Sequence, residues 1–294
     1  MPDFLTTREL AELLRIKERK VYDLVNSAKV PFTKATGKLL FPREAIEQWI
    51  EQSSTVPETV NPTARPPVLL GSHDPVLDWA LRESGCGIAT YFDGSGDGLD
   101  RFEGGEGIAA GLHVFEPDSG EWNIPLVAQR FKHADAVLVE WARRERGLIA
   151  NPEAAPAIKN LEDMGGRRIA WRQPMSGTQR LLCHLLERAG VSVGEEDASI
   201  VSRTEVDAAM AVQDGAADVT FGLRHVADQH GLPFVPIVEE RFDLLVSRPH
   251  WFEPPFQRFL AFCRSVAFQQ KTAALAGYDF SGFATVHFNA GSAD

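Results

Sequence analysis

Residues 168–190 read RIAWRQPMSGTQRLLCHLLERAG. Arg168-Ile169-Ala170-Trp171 is a short apolar run, while Leu181, Leu182, Leu185, Leu186 and Ala189 recur at helical spacing and stop at Gly190. Ser176-Gly177-Thr178 therefore opens a helix that follows a strand. A helix start exposes unpaired backbone N–H groups and a partial positive charge, and Ser and Thr add hydroxyl donors aimed the same way. The triplet supplies half of an anion site, although Ser176 or Thr178 also suits a plain N-cap.

The same theme recurs upstream. Strand-like runs at 68–70, 88–92, 108–110, 136–139, 168–171, 219–221 and 234–237 alternate with helical ones, which predicts an α/β fold with largely parallel sheets. Ligands of such folds collect at the carboxyl ends of strands. Gly71-Ser72-His73-Asp74-Pro75 follows the first run, with Asp74 placed as N-cap and Pro75 at the first helical position. The loop from Asp93 to Leu99, which contains Ser95 and Gly96, follows the second, and Gly111-Leu112-His113 follows the third. These spacings match neither a dinucleotide fingerprint nor a Walker loop nor a nucleophile elbow. His225 and His230 stand five apart without a nearby Cys, so no metal site is predicted, and no catalytic residue either.

The first fifty residues read differently. Thr6 and Glu9 form a capping box before Leu10, Leu13 and Leu14. A break at Arg15-Ile16 leads to a second helix in which Val21, Leu24 and Val25 face inward and Lys17, Arg19, Lys20 and Tyr22 face outward. Two short helices with a tight connection make a helix-turn-helix, the second carrying the donors. A hairpin around Thr36-Gly37 with Lys34 and Lys38 at its tip follows, then a third helix with Pro42 in its first turn.

The bulk numbers fit this division. Of 294 residues 44% are hydrophobic, which affords a core, and the net charge is −11. Residues 1–52 carry nine basic and eight acidic side chains against 21 and 33 in the remainder, so a near-neutral head sits on an acidic body. Gln52 to Pro67 is rich in Pro, Thr and Ser and reads as a linker. Cys86, Cys183 and Cys263 are read as reduced and structural. Lacking an apolar run of membrane length or a signal-peptide pattern, the chain is expected in the cytoplasm, with no membrane partner.

Two resemblances follow from these motifs. LTTRELAELLRIKERKVYDLV and FPREAIEQWI resemble the winged helix-turn-helix of the excisionase and MerR-like group. This implies duplex DNA as a partner, with the second helix in the major groove and the hairpin wing on phosphate or minor groove. GSHD at 71–74, the run GSGDGLDRFEGGEGIAAGLHVFEPDSGEWNIP, ARRERGLIANPE, RQPMSGTQRLL and GAADVTFGLRHVA resemble the periplasmic-binding-protein-like (type II) domain of cytoplasmic regulators akin to molybdate-binding proteins.

Together they imply a winged helix-turn-helix over 1–52, a linker over 53–66 and a two-lobed α/β sensor over 67–294. Lobe 1 is expected over about 67–145 and 242–294 and lobe 2 over about 146–241, joined by crossovers near 141–149 and 238–247. The function implied is that of a ligand-responsive, DNA-binding transcription regulator, a homo-oligomer (dimer or tetramer) and no enzyme. The alternative is an enzyme or carrier of molybdenum-cofactor metabolism that uses its N-terminal module as an adaptor. No cofactor is implied; molybdate or tungstate, or a related anionic metabolite, is the implied ligand. The residues expected around it are Ser72, His73, Ser95, Gly96, His113, Arg172, Ser176, Gly177 and Thr178. On the DNA side stand Lys17, Arg19, Lys20, Tyr22, Lys34 and Lys38. Asp74, Asp93, Asp97 and Asp100 would repel a dianion if they faced it, whereas Arg143, Arg144 and Arg146 either assist Arg172 or are solvated surface.

Overall fold

The structure, a computed structural model, describes residues 4–27, 30–34, 37–53, 65–174, 176–193 and 198–291. The chain divides into two compact units, Met1–Ala64 and Arg65–Asp294.

The first unit contains β1 (Phe4–Thr6), α1 (Thr7–Leu13), α2 (Glu18–Asn26), β2 (Leu40–Pro42) and α3 (Arg43–Ser53). Thr6 caps α1 as its sequence suggests: the hydroxyl accepts from the Glu9 amide at 3.3 Å, and the Thr6 amide donates to the Glu9 carboxylate at 2.7 Å. The turn into α2 is tight because Arg15 takes a left-handed φ of 53°, letting the Ile16 amide return to the Ala11 carbonyl at 2.9 Å. Leu10, Val21, Phe41 and Ile46 then share one core. Thr33 and Leu40 exchange two backbone hydrogen bonds, 2.8 and 3.0 Å, and close the hairpin stem below Gly37. Its tip residue Thr36 lies outside the described residues, as do residues 54–64 of the expected linker. Pro42 precedes α3 and is not part of its first turn, and α3 continues through Ser53.

The second unit begins at Arg65, not after a linker ending at 66. The Arg65 guanidinium donates to the carbonyls of Gly107 (3.1 Å) and Phe102 and lies 4.4 Å from the centroid of the Phe102 ring. Its elements are β3 (Val68–Gly71), α4 (Pro75–Glu83), β4 (Ala89–Phe92), α5 (Ser95–Glu103), β5 (Ala109–Leu112), the hairpin β6 (Phe115–Glu116) and β7 (Glu121–Trp122), α6 (Ile124–Arg130) and β8 (Ala136–Ala150). After these come β9 (Ile169–Arg172), α7 (Gly177–Ala189), β10 (Ala198–Ser202), α8 (Glu205–Gln213), β11 (Val219–Leu223), α9 (Arg224–Gln229) and β12 (Phe234–Ser247). The chain ends with α10 (Arg248–Trp251), α11 (Pro254–Cys263), α12 (Val266–Ala273), β13 (Tyr278–Asp279) and β14 (Val286–Asn289).

The main sheet has the order β10-β9-β11-β8-β12-β5-β3-β4, with β13 and β14 also paired to β8. β3 is parallel to β4 and β5, and β9 is parallel to β10 and β11. β8 and β12 run antiparallel to each other and to their neighbours, so the sheet is mixed. The expected crossovers are the interiors of these two strands, paired from Phe234 with Ile149 to Ser247 with Ala136. Each strand serves both lobes, because its two ends carry separate apolar sets. Trp141, Phe242, Phe256 and Phe259 build the core of the first lobe, and Leu148, Ile169, Leu182 and Phe221 that of the second. One departure is the β6–β7 hairpin. It leaves the first lobe after β5, yet Phe115 and Trp122 pack on the core of the second. Cys86 and Cys263 are buried free thiols as expected of structural cysteines, whereas Cys183 is exposed on α7.

Candidate functional site: the interlobe cleft

Carboxyl ends of parallel strands from both lobes meet at one cleft of about 300 Å³. From the first lobe come Ser72 and His73 after β3, Asp93 after β4 and His113 after β5; from the second come Arg172 at the end of β9, Ser176, Gly177 and Thr178 at the start of α7, and Arg203 to Glu205 after β10. Gly71 makes the first turn possible. It holds φ at +94°, and a Cβ there would stand 2.4 Å from the Gly111 carbonyl oxygen.

Seven of the nine sequence-nominated ligand residues line this cleft: Ser72, His73, His113, Arg172, Ser176, Gly177 and Thr178. Ser95 and Gly96 do not. Ser95 is buried behind Ser72, accepting from the His113 amide at 3.2 Å and sharing a 2.8 Å bond with the Ser72 hydroxyl. Both hydroxyls are buried, and either can be the donor in this bond. Gly96 is exposed in the first turn of α5 and does not line the cleft, although the N-cap of that helix, Gly94, does.

At the opening triplet the two readings of Ser176 coincide. Its oxygen accepts from the Gln179 amide at 3.1 Å as an N-cap, while its proton remains available to the cleft it lines. The Gly177 and Thr178 amides, at the start of α7, have no intrahelical acceptor. Thr178 is committed differently, donating to Glu205 Oε1 at 2.8 Å. Arg172 is also engaged on all its nitrogens: Nε on the Ser202 carbonyl (3.2 Å), Nη2 on the Arg203 carbonyl (2.6 Å) and Nη1 on Glu205 Oε1 (3.0 Å).

The flanking charges are arranged otherwise than the sequence suggests. Arg144 and Arg146 are each only 1% exposed, not solvated surface. They stand in a buried chain of alternating charge: Asp74 to Arg144 (2.8 Å), Arg144 to Glu240, Glu240 to Arg146 (2.8 Å), Arg146 to Glu205 (2.8 Å), Glu205 to Arg172 (3.0 Å). Arg144 and Arg146 are two apart on β8 and so share a face, and Glu240 sits opposite Arg144 on β12. Burial alone would raise the Glu240 carboxyl, but Arg144 and Arg146 hold it well below the usual range; Arg146 and Arg172 likewise hold Glu205 down to about 2. His113 donates at Nδ1 to the ionised Glu240 (3.2 Å), and its burial outweighs that carboxylate, lowering its pKa and keeping it neutral.

Asp74 caps α4 through the Leu77 amide (2.7 Å) and takes Arg144 and Tyr278 (2.6 Å) on its other oxygen, so it is structural. Asp97 pairs with Arg101 (2.8 Å) and Asp100 with Arg130 (2.7 Å), and neither lines the cleft; Asp93 does. The exposed Arg143 meets Glu239 at 3.2 Å. Sequence reasoning missed Glu205, although Thr204-Glu205-Val206-Asp207 repeats the capping-box signal right after a strand.

A larger, mainly apolar cavity of about 760 Å³ shares Arg172 and Gly177 with the cleft and runs along α7 beside Phe115 and Trp171. The smaller cleft is the better candidate, because convergent hydroxyls and helix amides from both lobes meet there. In the first unit Lys17, Arg19, Lys20, Tyr22, Lys34 and Lys38 are all exposed.

Residues 79–264 match the family described as the PBP superfamily domain, and residues 4–54 match a helix-turn-helix domain. The chain belongs to the PBP superfamily. An uncharacterized protein of Bacillus subtilis (strain 168), YvgK, is 24% identical over 268 residues, covering 83% of this chain and 85% of that protein. Among solved structures, a hydrogen-peroxide-bound cysteine-to-serine mutant of Corynebacterium glutamicum OxyR aligns with a TM-score of 0.51 at 11% identity, over 92% of this chain and 90% of that one. Such identity speaks for the fold alone. A helix-turn-helix joined to a PBP-superfamily domain fits a ligand-responsive transcription regulator. Among the described residues no helix is long and apolar enough to cross a membrane.

Proposed function

We propose that this protein is a cytoplasmic one-component transcription regulator that senses a small anion in the interlobe cleft, either an oxyanion of the molybdate or tungstate type or a related anionic metabolite. One observation carries the reading: hydroxyls of Ser72 and Ser176 and the first amides of α7 face a single volume of about 300 Å³ from two lobes. An anion that bonds to both sets favours the closed arrangement over the open one by its differential affinity, which is what a two-state sensor needs. In the first unit, α2 would enter the major groove with Lys17, Arg19, Lys20 and Tyr22, and Lys34 and Lys38 on the wing would contact phosphate. One such module reads few base pairs, so the working form is a dimer or tetramer on symmetric half-sites.

The decisive experiment pairs two titrations on the full chain. Calorimetry identifies the anion that binds, and fluorescence anisotropy with DNA from upstream of its own coding sequence measures operator affinity with and without that anion. An anion that binds while leaving operator affinity unchanged would defeat the regulator reading.

A further inference from the structure

The cavity of about 760 Å³ beside α7 differs from the cleft in its chemistry. One wall is a single face of α7, since Gly177, Arg180, His184 and Glu187 recur every three or four residues and all line it. The opposite face of the helix, with Leu182 and Leu186, is spent on the core of the second lobe. The other walls are Trp171 of β9, Val201 of β10, and Val114 and Phe115 where the chain leaves the first lobe. Val201 keeps 62% of its surface exposed and Phe115 is only partly buried, so apolar surface remains open around the hollow after the cores have formed. The volume lies in the range of small-molecule sites, about 300–1,000 Å³.

Its charges are sorted by end. Arg172 is spent on the Ser202 and Arg203 carbonyls and on Glu205. Arg180 lines the same cavity, is exposed, and its guanidinium has no partner among the described residues. It stands near the start of α7, where unpaired amides add to the positive potential. Glu187 is two helical turns further on, roughly 10 Å along the axis. The hollow therefore has a cationic end, apolar walls and an anionic far end. Its rings are those of Phe115, Trp171 and His184, with Phe115 and His184 already 5.4 Å apart between centroids. The complement of such a surface is a flat apolar body with an anionic group at one end, because ring edges and faces pack on one another and the lone cation takes the charge.

We propose that this cavity is a second ligand site, for an aromatic carboxylate whose ring packs against Phe115 and Trp171 and whose carboxylate pairs with Arg180. The site stands whatever the interlobe cleft binds. Gly177 and Arg172 line both hollows, so an occupant here bears on the same first turn of α7 and the same end of β9 that the cleft uses. Cys183 lines the cavity and is exposed, whereas Cys86 and Cys263 are buried, so the reactivity of one thiol reports whether the cavity is filled.

The test uses the full chain and two probes of one shape, 2-naphthoate and its neutral amide, 2-naphthamide. In calorimetric titrations the carboxylate is expected to bind about tenfold or more tighter than the amide, the effect of one charge-assisted bond, and this comparison needs no variant. 2-Naphthoate should also slow the modification of Cys183 by iodoacetamide in proportion to its occupancy. Arg180→Gln, an exposed position that folding does not depend on, should weaken 2-naphthoate about tenfold or more and leave 2-naphthamide unchanged. Ser72→Ala, which alters the cleft alone, should change neither. The proposal is overturned if neither probe binds, if the amide binds as tightly as the carboxylate, or if 2-naphthoate binds without shielding Cys183. It is equally overturned if Arg180→Gln keeps the wild-type affinity, or if Ser72→Ala costs as much as Arg180→Gln, which would put the probe in the cleft.

Discussion

A Cβ placed on Gly177 would lie 2.9 Å from Cε1 of His113 and 3.0 Å from its carbonyl oxygen, so the start of α7 in the second lobe rests on the end of β5 in the first with no room for a methyl group. His113 cannot give way freely. Its ring stacks on Phe242 at 5.9 Å between centroids, and its Nδ1 is held by Glu240.

Gly177→Ala therefore tests whether this contact defines the binding-competent arrangement. Alanine favours a helix over glycine by about 1 kcal/mol, so α7 itself is not harmed. The clash must be relieved by drawing the lobes apart. Anion affinity should fall at least tenfold with little change in the melting of the ligand-free chain, and small-angle scattering should give a larger radius with the anion present than for wild type. Wild-type affinity in this variant would refute the contact's role.

Ser176→Ala should show two losses at once, because the side chain caps α7 and lines the cleft. Removal of the cap costs about 1 kcal/mol of stability. Removal of the donor to a charged ligand costs about 1.5–3 kcal/mol of affinity, roughly ten- to a hundredfold. A melting curve beside a calorimetric titration separates them; destabilisation with intact affinity would leave Ser176 as a cap only.

Much of this site is legible in the sequence because its signals are local. Thr6, Asp74 and Ser176 each bond an amide three residues ahead, a pattern that a sequence displays without a fold. The turns after β3 and β5 are visible for the same reason. Glu205 is not: its partners Thr178, Arg172 and Arg146 come from α7, β9 and β8, and only the sheet order brings them together. The segment EWARRERG reads as solvated charge when chemical type is allowed to outweigh spacing. Its period of two, with Arg144 and Arg146 on one face and Arg143 and Glu145 on the other, is the available sign that one pair is buried. The length of β8 and β12 is hidden by these same charges, which interrupt the apolar runs at 136–139 and 234–237.

Arg19→Ala combined with Lys20→Ala should abolish operator binding and leave anion binding unchanged. Both side chains are exposed on α2, clear of the core that Val21 and Val25 help to fill, so the fold of the first unit is spared. Lys34→Ala and Lys38→Ala should act differently, flattening the salt dependence of binding by about one unit of log–log slope for each phosphate that is no longer neutralised. Anisotropy titrations over a salt series distinguish the two pairs. Unchanged operator affinity in the Arg19/Lys20 variant would remove α2 from the interface.

The charge chain also sets an acid limit on stability, and Glu205 offers the clearest sign. Burial would raise its carboxyl, but Arg146 and Arg172 hold it at about 2 in the folded chain against an ordinary value of 4.5. With the folded value below the unfolded one, the unfolded chain binds the proton first as the pH falls. The stabilisation is then complete above pH 4.5 and is lost between there and about 2. The shift corresponds to about 3 kcal/mol, an order-of-magnitude figure for a buried pair. Glu205→Gln lacks this titration. Its stability deficit against wild type should be largest near neutrality and shrink by roughly 3 kcal/mol as the pH falls to about 2. His113 and Asp243 titrate in both chains and drop out of the difference to first order. Urea midpoints of the two chains, compared at steps across that range, measure it; a deficit that stays constant with pH would mean that Glu205 is not held ionised by its arginines.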